Sequence, residues 1–122
     1  MSLRRLSPYA LAALLGVAGV AHFRKPKMFD HLVPEWLPGT QRDWTHASGV
    51  AELACAAAVA VPATRRAGAL AAAGLFAAVF PGNVKMALDW RHRSPREQAL
   101  AYGRLPLQVP LVLWALKVRR QA

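Results

Sequence analysis

The sequence predicts an all-α, integral membrane four-helix bundle with an amphipathic interfacial segment between its first and second helices. Three observations lead there. The chain is 55% hydrophobic with a positive mean hydropathy of +0.21. Its apolar residues fall in four long blocks. Its Lys and Arg residues gather in short clusters between those blocks.

The first block, Pro8–Phe23, runs 16 residues without Asp, Glu, Lys or Arg. The second, Trp44–Val61, is 18 residues with Glu52 as its single charge. The third, Ala67–Val84, is 18 residues with no charge and no polar face at the helical period, which a water-facing helix would show. The fourth, Leu105–Leu116, has 12 uncharged residues and reaches 19 when carried back to Gln98, with Arg104 as the single charge. A hydrocarbon core about 30 Å thick takes roughly 20 helical residues. The expected spans are therefore 7–23, 44–61, 67–88 and 98–118 in one domain covering 1–122. Ser94-Pro95-Arg96-Glu97 reads as a capping box with proline at the first helical position, so the fourth helix is expected from Pro95.

The formal net charge of +10 raises nucleic acid as a partner, but the placement of the charge excludes it. Arg4 and Arg5; Arg24, Lys25 and Lys27; Arg65 and Arg66; Arg91, Arg93 and Arg96; and Lys117, Arg119 and Arg120 all flank apolar blocks. That is the pattern of side chains snorkelling to anionic lipid headgroups. Seven basic residues fall on the side of the two termini and nine on the other, so counting alone does not orient the bundle. The terminal side holds no acid and is denser in charge, so cytoplasmic termini are expected. Arg4-Arg5 before an apolar stretch resembles a secretory signal; a retained first helix is expected, because four spans need it. One cysteine, Cys55, leaves no internal disulfide or dithiol pair.

The connection from Arg24 to Asp43 repeats Met28, Phe29, Leu32, Val33, Trp36 and Leu37 at a spacing of about four, broken by Pro26, Pro34 and Pro38. It reads as an amphipathic stretch in the interface, a loop packed on the bundle end, or a lid. Ala47, Ala51, Ala54 and Ala58 in the second helix, Gly68, Ala72 and Gly74 in the third, and Gly16 and Gly19 in the first suit close membrane-helix packing. Trp36, Trp44, Trp90 and Trp114 suit belt positions.

Glu52 is the informative residue. A carboxylate at the bilayer centre costs about 2.5–3.5 kcal/mol on insertion scales, so it turns to a partner or cavity. Thr45, Ser48, Glu52 and Cys55 are spaced three, four and three, which puts them on one helix face. His22 closes the first helix on the same side; Asn83 and Lys85 follow Pro81-Gly82 in the third; Arg104 and Gln108 lie four apart in the fourth. His22, Ser48, Glu52, Asn83, Lys85, Arg104 and Gln108 thus form a candidate polar intramembrane cluster. It is either a small-molecule pocket for a quinone, lipid or organic acid, or a network that fixes helix register. No metal spacing links His22, His31, His46 and His92, and no nucleophile triad, phosphate loop or dinucleotide fingerprint is present. The chain alone is expected to have no catalytic activity, and no cofactor is indicated. A third reading, an oligomeric transporter, requires several copies, because four Ala-rich helices leave little room for a path.

Gly19-Val20-Ala21-His22-Phe23 with Pro26 and Phe29, Val33-Pro34-Glu35-Trp36-Leu37-Pro38, Ser48-Gly49-Val50-Ala51-Glu52, Pro62 with Arg65-Arg66, Phe80-Pro81-Gly82-Asn83, and Arg104-Leu105-Pro106-Leu107-Gln108 with Trp114 together resemble the DoxX family of small four-helix bacterial membrane proteins. The resemblance implies a multi-pass protein of the bacterial inner membrane, acting as a subunit or scaffold beside membrane-associated redox proteins. It carries over no catalytic residues.

Overall fold

In the computed structural model the described residues are 3–30, 33, 36–89 and 91–122, with the side chains of Leu3, Arg4, Asn83, Met86, Ala87, Leu100, Ala101, Arg104 and Leu105 left aside. They form helices and turns, and no strand occurs among them. The helices are α1 (Leu3–Arg24), α2 (Lys27–Asp30), α3 (Gln41–Ala60), a 3₁₀ turn (Pro62–Thr64), α4 (Arg65–Ala78), α5 (Phe80–Asp89) and α6 (Pro95–Gln121).

Local chemistry sets the boundaries. Gly39, at φ 81°, turns the chain with a conformation that side-chain-bearing residues avoid. Thr40 then caps α3: its hydroxyl accepts from the Asp43 amide at 3.1 Å, and the Asp43 carboxylate accepts from the Thr40 amide at 3.2 Å. This reciprocal box starts the helix at Gln41, three residues before the expected Trp44, because it satisfies amides that a helix start otherwise orphans. Val61 is extended, as a residue before proline is pushed to be, and α3 ends there. The third expected helix is divided. Pro81 has no N–H to give one turn back, and the chain breaks at Val79 into α4 and α5. At α6 the Ser94 hydroxyl accepts from the Glu97 amide at 3.3 Å, with Pro95 leading the first turn.

The legs α1, α3, α4–α5 and α6 pack in sequence order, each on the one before, apart from the α2 insertion. Positions at Gly19 lie against Gly49 and Leu53, and Gly16 lies against Ala56, so α1 and α3 run antiparallel. The core is small and apolar: Leu11 and Leu15 from α1, Cys55 and Val59 from α3, Ala69, Ala72, Ala73 and Phe76 from α4, and Ala115 and Val118 from α6. It fills the half of the molecule nearer the Pro62–Thr64 turn. Trp114 donates its indole N–H to the Ser7 hydroxyl at 2.8 Å and ties α6 back to α1.

The axis turns through 112° between Gln41–Ala60 and Pro62–Gly82. This corner carries α4 and α5 away from α3. Among the described residues α5 packs on α6 and on the end of α4, not along α1 or α3. The segment Arg5–Arg24 is long and apolar enough to cross a membrane, and the bent pair Gln41–Ala60 with Pro62–Gly82 passes the same test when taken together. The described structure therefore holds one or two candidate spans rather than the four expected. The third block, over Pro62–Gly82, passes only together with Gln41–Ala60, and it is divided at Val79 into α4 and α5. The fourth carries Arg104, Pro106 and Pro110 within α6.

Close packing separates the glycines. A Cβ on Gly68 would lie 2.7 Å from the Ala58 Cβ and 2.8 Å from the Val59 backbone nitrogen, whereas one on Gly74 would meet nothing within 4 Å. Gly68→Ala should cost about 1–3 kcal/mol, because backbone cannot yield as a side chain does. Gly74→Ala should gain up to about 1 kcal/mol of helix propensity. Thermal unfolding of the two variants checks this, and equal effects would contradict the packing described.

Candidate functional site

The buried face of α3 runs Thr45, Gly49, Glu52, Cys55 and Val59. These positions repeat at four, three, three and four, the stripe that a helix turns to its neighbours. Ser48 lies at its half-buried edge. Among the described residues three polar side chains are buried: Thr45, His22 and Glu52, the last two 7% and 8% exposed.

His22 and Glu52 meet across the α1–α3 seam. A Cβ on Gly49 would lie 2.9 Å from the His22 Cβ and 2.7 Å from the Phe23 ring, so only glycine lets α1 approach here. His22 Nδ1 and Glu52 Oε2 are 3.6 Å apart, outside hydrogen-bond range. The imidazole is engaged elsewhere: Nδ1 lies 2.6 Å from the Ala18 carbonyl, which fixes that nitrogen as the N–H donor. Its ring stacks on Phe29 with centroids 3.8 Å apart and planes 14° apart. Glu52 Oε2 is buried and accepts no hydrogen bond. Polar atoms buried without a partner are uncommon, and each costs about 1–3 kcal/mol, more when charged.

Helix α2 closes the end above this pair. Phe29 covers His22. Asp30 then anchors the segment to α3: Oδ1 accepts from the Thr45 hydroxyl at 2.6 Å, and Oδ2 accepts from Arg42 Nε at 3.0 Å. Partial desolvation pushes the Asp30 carboxyl up, but the Thr45 hydroxyl and Arg42 outweigh it and hold the group below the usual aspartate range. The connection thus packs on the end of the α1–α3 pair, with Met28 and Trp36 left outward, Trp36 at 81% exposure. Leu32, Pro34 and Glu35 lie outside the described residues.

Of the sequence-derived cluster, the structure brings His22 and Glu52 together. Lys85 pairs along its own helix with Asp89 at 2.6 Å, an i,i+4 contact on an element that the 112° corner carries away from α3. Gln108 is half-buried, and its side-chain oxygen has no donor. The side chains of Asn83 and Arg104 lie outside the described residues. A cleft of about 820 Å³ runs between Trp36 and one face of α5, including Pro81, Val84, Lys85 and Leu88; Glu52 is not in its lining. Sequence reasoning missed Asp30 and Phe29 as parts of the site. Asp30 and Thr45 are 15 residues apart, with no helical spacing to join them. Among the described residues no group of three or more metal-ligating side chains occurs.

The fold and site together define an all-helical protein with one or two candidate membrane spans and a buried carboxylate–imidazole pair. The model of a domain of unknown function, DUF8561, matches residues 11–119, and the chain belongs to that family. This corrects the resemblance to DoxX: the blocks quoted for it are short, and the match over nearly the whole chain is to a different family. No curated protein and no solved structure matches the chain.

The Asp30 anchor has a pH signature. A carboxyl lowered by folding stabilises the folded state above the ordinary aspartate pKa and loses that contribution as pH falls through the lowered value. Asp30→Asn should cost about 1–2 kcal/mol at neutral pH and flatten the acid limb of the unfolding curve. Thermal melts of both proteins across the acid range measure it; parallel curves would exclude the anchor.

Proposed function

We propose that the chain is a multi-span membrane protein that binds a small hydrogen-bond-donating molecule at Glu52, without catalysing a reaction by itself. The membrane part is supported by the apolar side chains on the outer faces of the helices. Val17 and Val20 on α1, Val50 on α3, Leu70 on α4, and Leu107, Val109 and Leu113 on α6 all point outward, Val17 at 70% exposure and Leu113 at 58%. The interior holds a small apolar core and, beside it, the polar His22, Thr45 and Glu52. The apolar window in α1 is only 28% buried inside the molecule, unlike the core helix of a water-soluble protein. Outward apolar faces on four legs suit hydrocarbon as solvent, and legs that are short or carry single charges can tilt or snorkel at their ends. The dense basic end, with Arg5, Arg65, Arg66, Lys117, Arg119 and Arg120, supports a cytoplasmic location for both termini.

The observation that carries the binding reading is Glu52 Oε2, buried without a donor. A residue kept only to lock two helices would be expected to have its hydrogen bonds completed, because an incomplete buried network is costly. His22 Nδ1–H donates to the Ala18 carbonyl, so Oε2 can accept from an incoming donor: a hydroquinone hydroxyl, a protonated organic acid or a lipid hydroxyl. Phe29 and the Asp30 anchor would have to swing aside for entry, which gives α2 the role of a lid.

A second reading, a membrane subunit or scaffold for partner proteins, has its support in the exposed Trp36 and the cleft along α5. Its association with redox enzymes came with the DoxX resemblance and goes with it.

Glu52→Gln separates a ligand site from a register lock. On the binding reading, replacing the unpartnered carboxylate by its neutral isostere raises stability by about 1–3 kcal/mol. A short-chain ubiquinol added to the detergent-solubilised protein raises the unfolding temperature of the parent and not of the variant. A variant that melts earlier than the parent would instead establish Glu52 as a structural tie.

A further inference from the structure

A second polar site lies at the opposite end of the molecule, away from Glu52. The start of α1, the start of α4 and the end of α6 enclose a cavity of about 470 Å³ walled by Arg5, Pro8, Tyr9, Arg65, Val118 and Gln121, with Ala122 at its rim. That volume lies within the range of about 300–1,000 Å³ that small-molecule sites occupy.

Its charged side chains, Arg5 and Arg65, are both basic. Arg65 is held in place by three contacts: Nε donates to the Val59 carbonyl at 2.7 Å, Nη2 donates to the Ala60 carbonyl at 3.1 Å, and the guanidinium stands 5.1 Å over the Tyr9 ring. These contacts leave the Nη1 donors without an acceptor among the described residues. Arg65 also opens α4, whose N-terminus has no side-chain cap, so the helix dipole adds positive potential on that wall. Arg5 is exposed and makes no ion pair among the described residues. No described acidic side chain lies at this end: Asp30, Asp43, Asp89 and Glu97 belong to the other, and Glu52 is interior. Gln121 completes the wall, with its side-chain oxygen buried.

Two guanidinium groups ask for an anion, and their planar forks match phosphate oxygens. Pro8, Tyr9 and Val118 offer apolar surface beside both. We infer that this cavity binds a phosphate group with net negative charge, as phosphoglycerol presents it. Two sources present that group: the headgroup of a phosphatidylglycerol lipid, and glycerol phosphate in solution. The site does not depend on the Glu52 reading. Its lipid source rests on the membrane reading, and its soluble source does not.

The test is thermal unfolding of the full chain in detergent, titrated separately with phosphatidylglycerol, phosphatidylcholine and glycerol 3-phosphate. Phosphatidylglycerol should raise the unfolding temperature more than phosphatidylcholine. Arg5→Gln should raise the half-saturating concentration about tenfold, the worth of a charge-assisted hydrogen bond, while leaving the ligand-free unfolding temperature unchanged, because Arg5 supports no packing. A matching response to glycerol 3-phosphate assigns the soluble source, and a response to phosphatidylglycerol alone assigns the lipid. Equal shifts from both lipids with none from glycerol 3-phosphate would overturn the site. So would a phosphatidylglycerol response that Arg5→Gln leaves intact, since that is diffuse attraction to a chain of net charge +10. Should the chain stay in water without detergent, the membrane reading fails alone and the glycerol 3-phosphate titration still decides the cavity.

Discussion

The close approach of α1 and α3 at Gly19 and Gly49 governs the rest of the structure. A Cβ at either position would stand within 3 Å of the facing helix. Because the seam is that tight, His22 and Phe23 lie directly on α3, and Glu52 has an imidazole for a neighbour. The same approach fixes where the chain leaves α1, which sets Phe29 over His22 and Asp30 beside Thr45. A wider seam would let a water or a longer side chain reach Oε2. The glycine contact therefore both assembles the site and keeps its carboxylate short of one donor.

The second constraint is the corner after α3. Pro62 and the 3₁₀ turn end one helix and start the next with a 112° change of direction. Thr64 and Arg65 brace it by donating to the Ala58, Val59 and Ala60 carbonyls that the end of α3 leaves open. At the corner the helices touch closely, through Gly68 on Ala58 and Val59. Away from it they diverge. The compact core consequently sits at the basic end, and the polar residues of α5 and α6 are drawn away from those of α1 and α3.

Much of this was legible in the sequence. The Ser94 box placed the start of α6, and the three-four-three spacing on α3 named the face that holds Glu52, whereas the division at Val79 falls inside a third helix that reads as unbroken over 67–88. The start of α3 was also written, in Thr40 and Asp43, but apolar blocks drew attention to Trp44 instead. Lys85 and Asp89 show why the cluster was harder to read. Both stand on one helix at i,i+4, and that short-range contact is reached without crossing the bundle. The Asp30 anchor was not readable, because it depends on where a proline-interrupted connection comes to rest. Short motifs shared with another family misdirected the resemblance, since glycine, proline and tryptophan at helix ends serve packing and capping in any small helical protein.

The central proposal is that the aliphatic side chains on the outer faces of the helices meet hydrocarbon, while His22 and Glu52 lie within beside a small apolar core. Nitroxide labels at Val17, Val50 and Leu113, in a Cys55→Ser background reconstituted into lipid vesicles, test it most directly. Those positions should be relaxed by dissolved oxygen, which concentrates in hydrocarbon, and shielded from a water-soluble nickel chelate. Relaxation by the chelate at all three positions would place these faces in water and contradict the account.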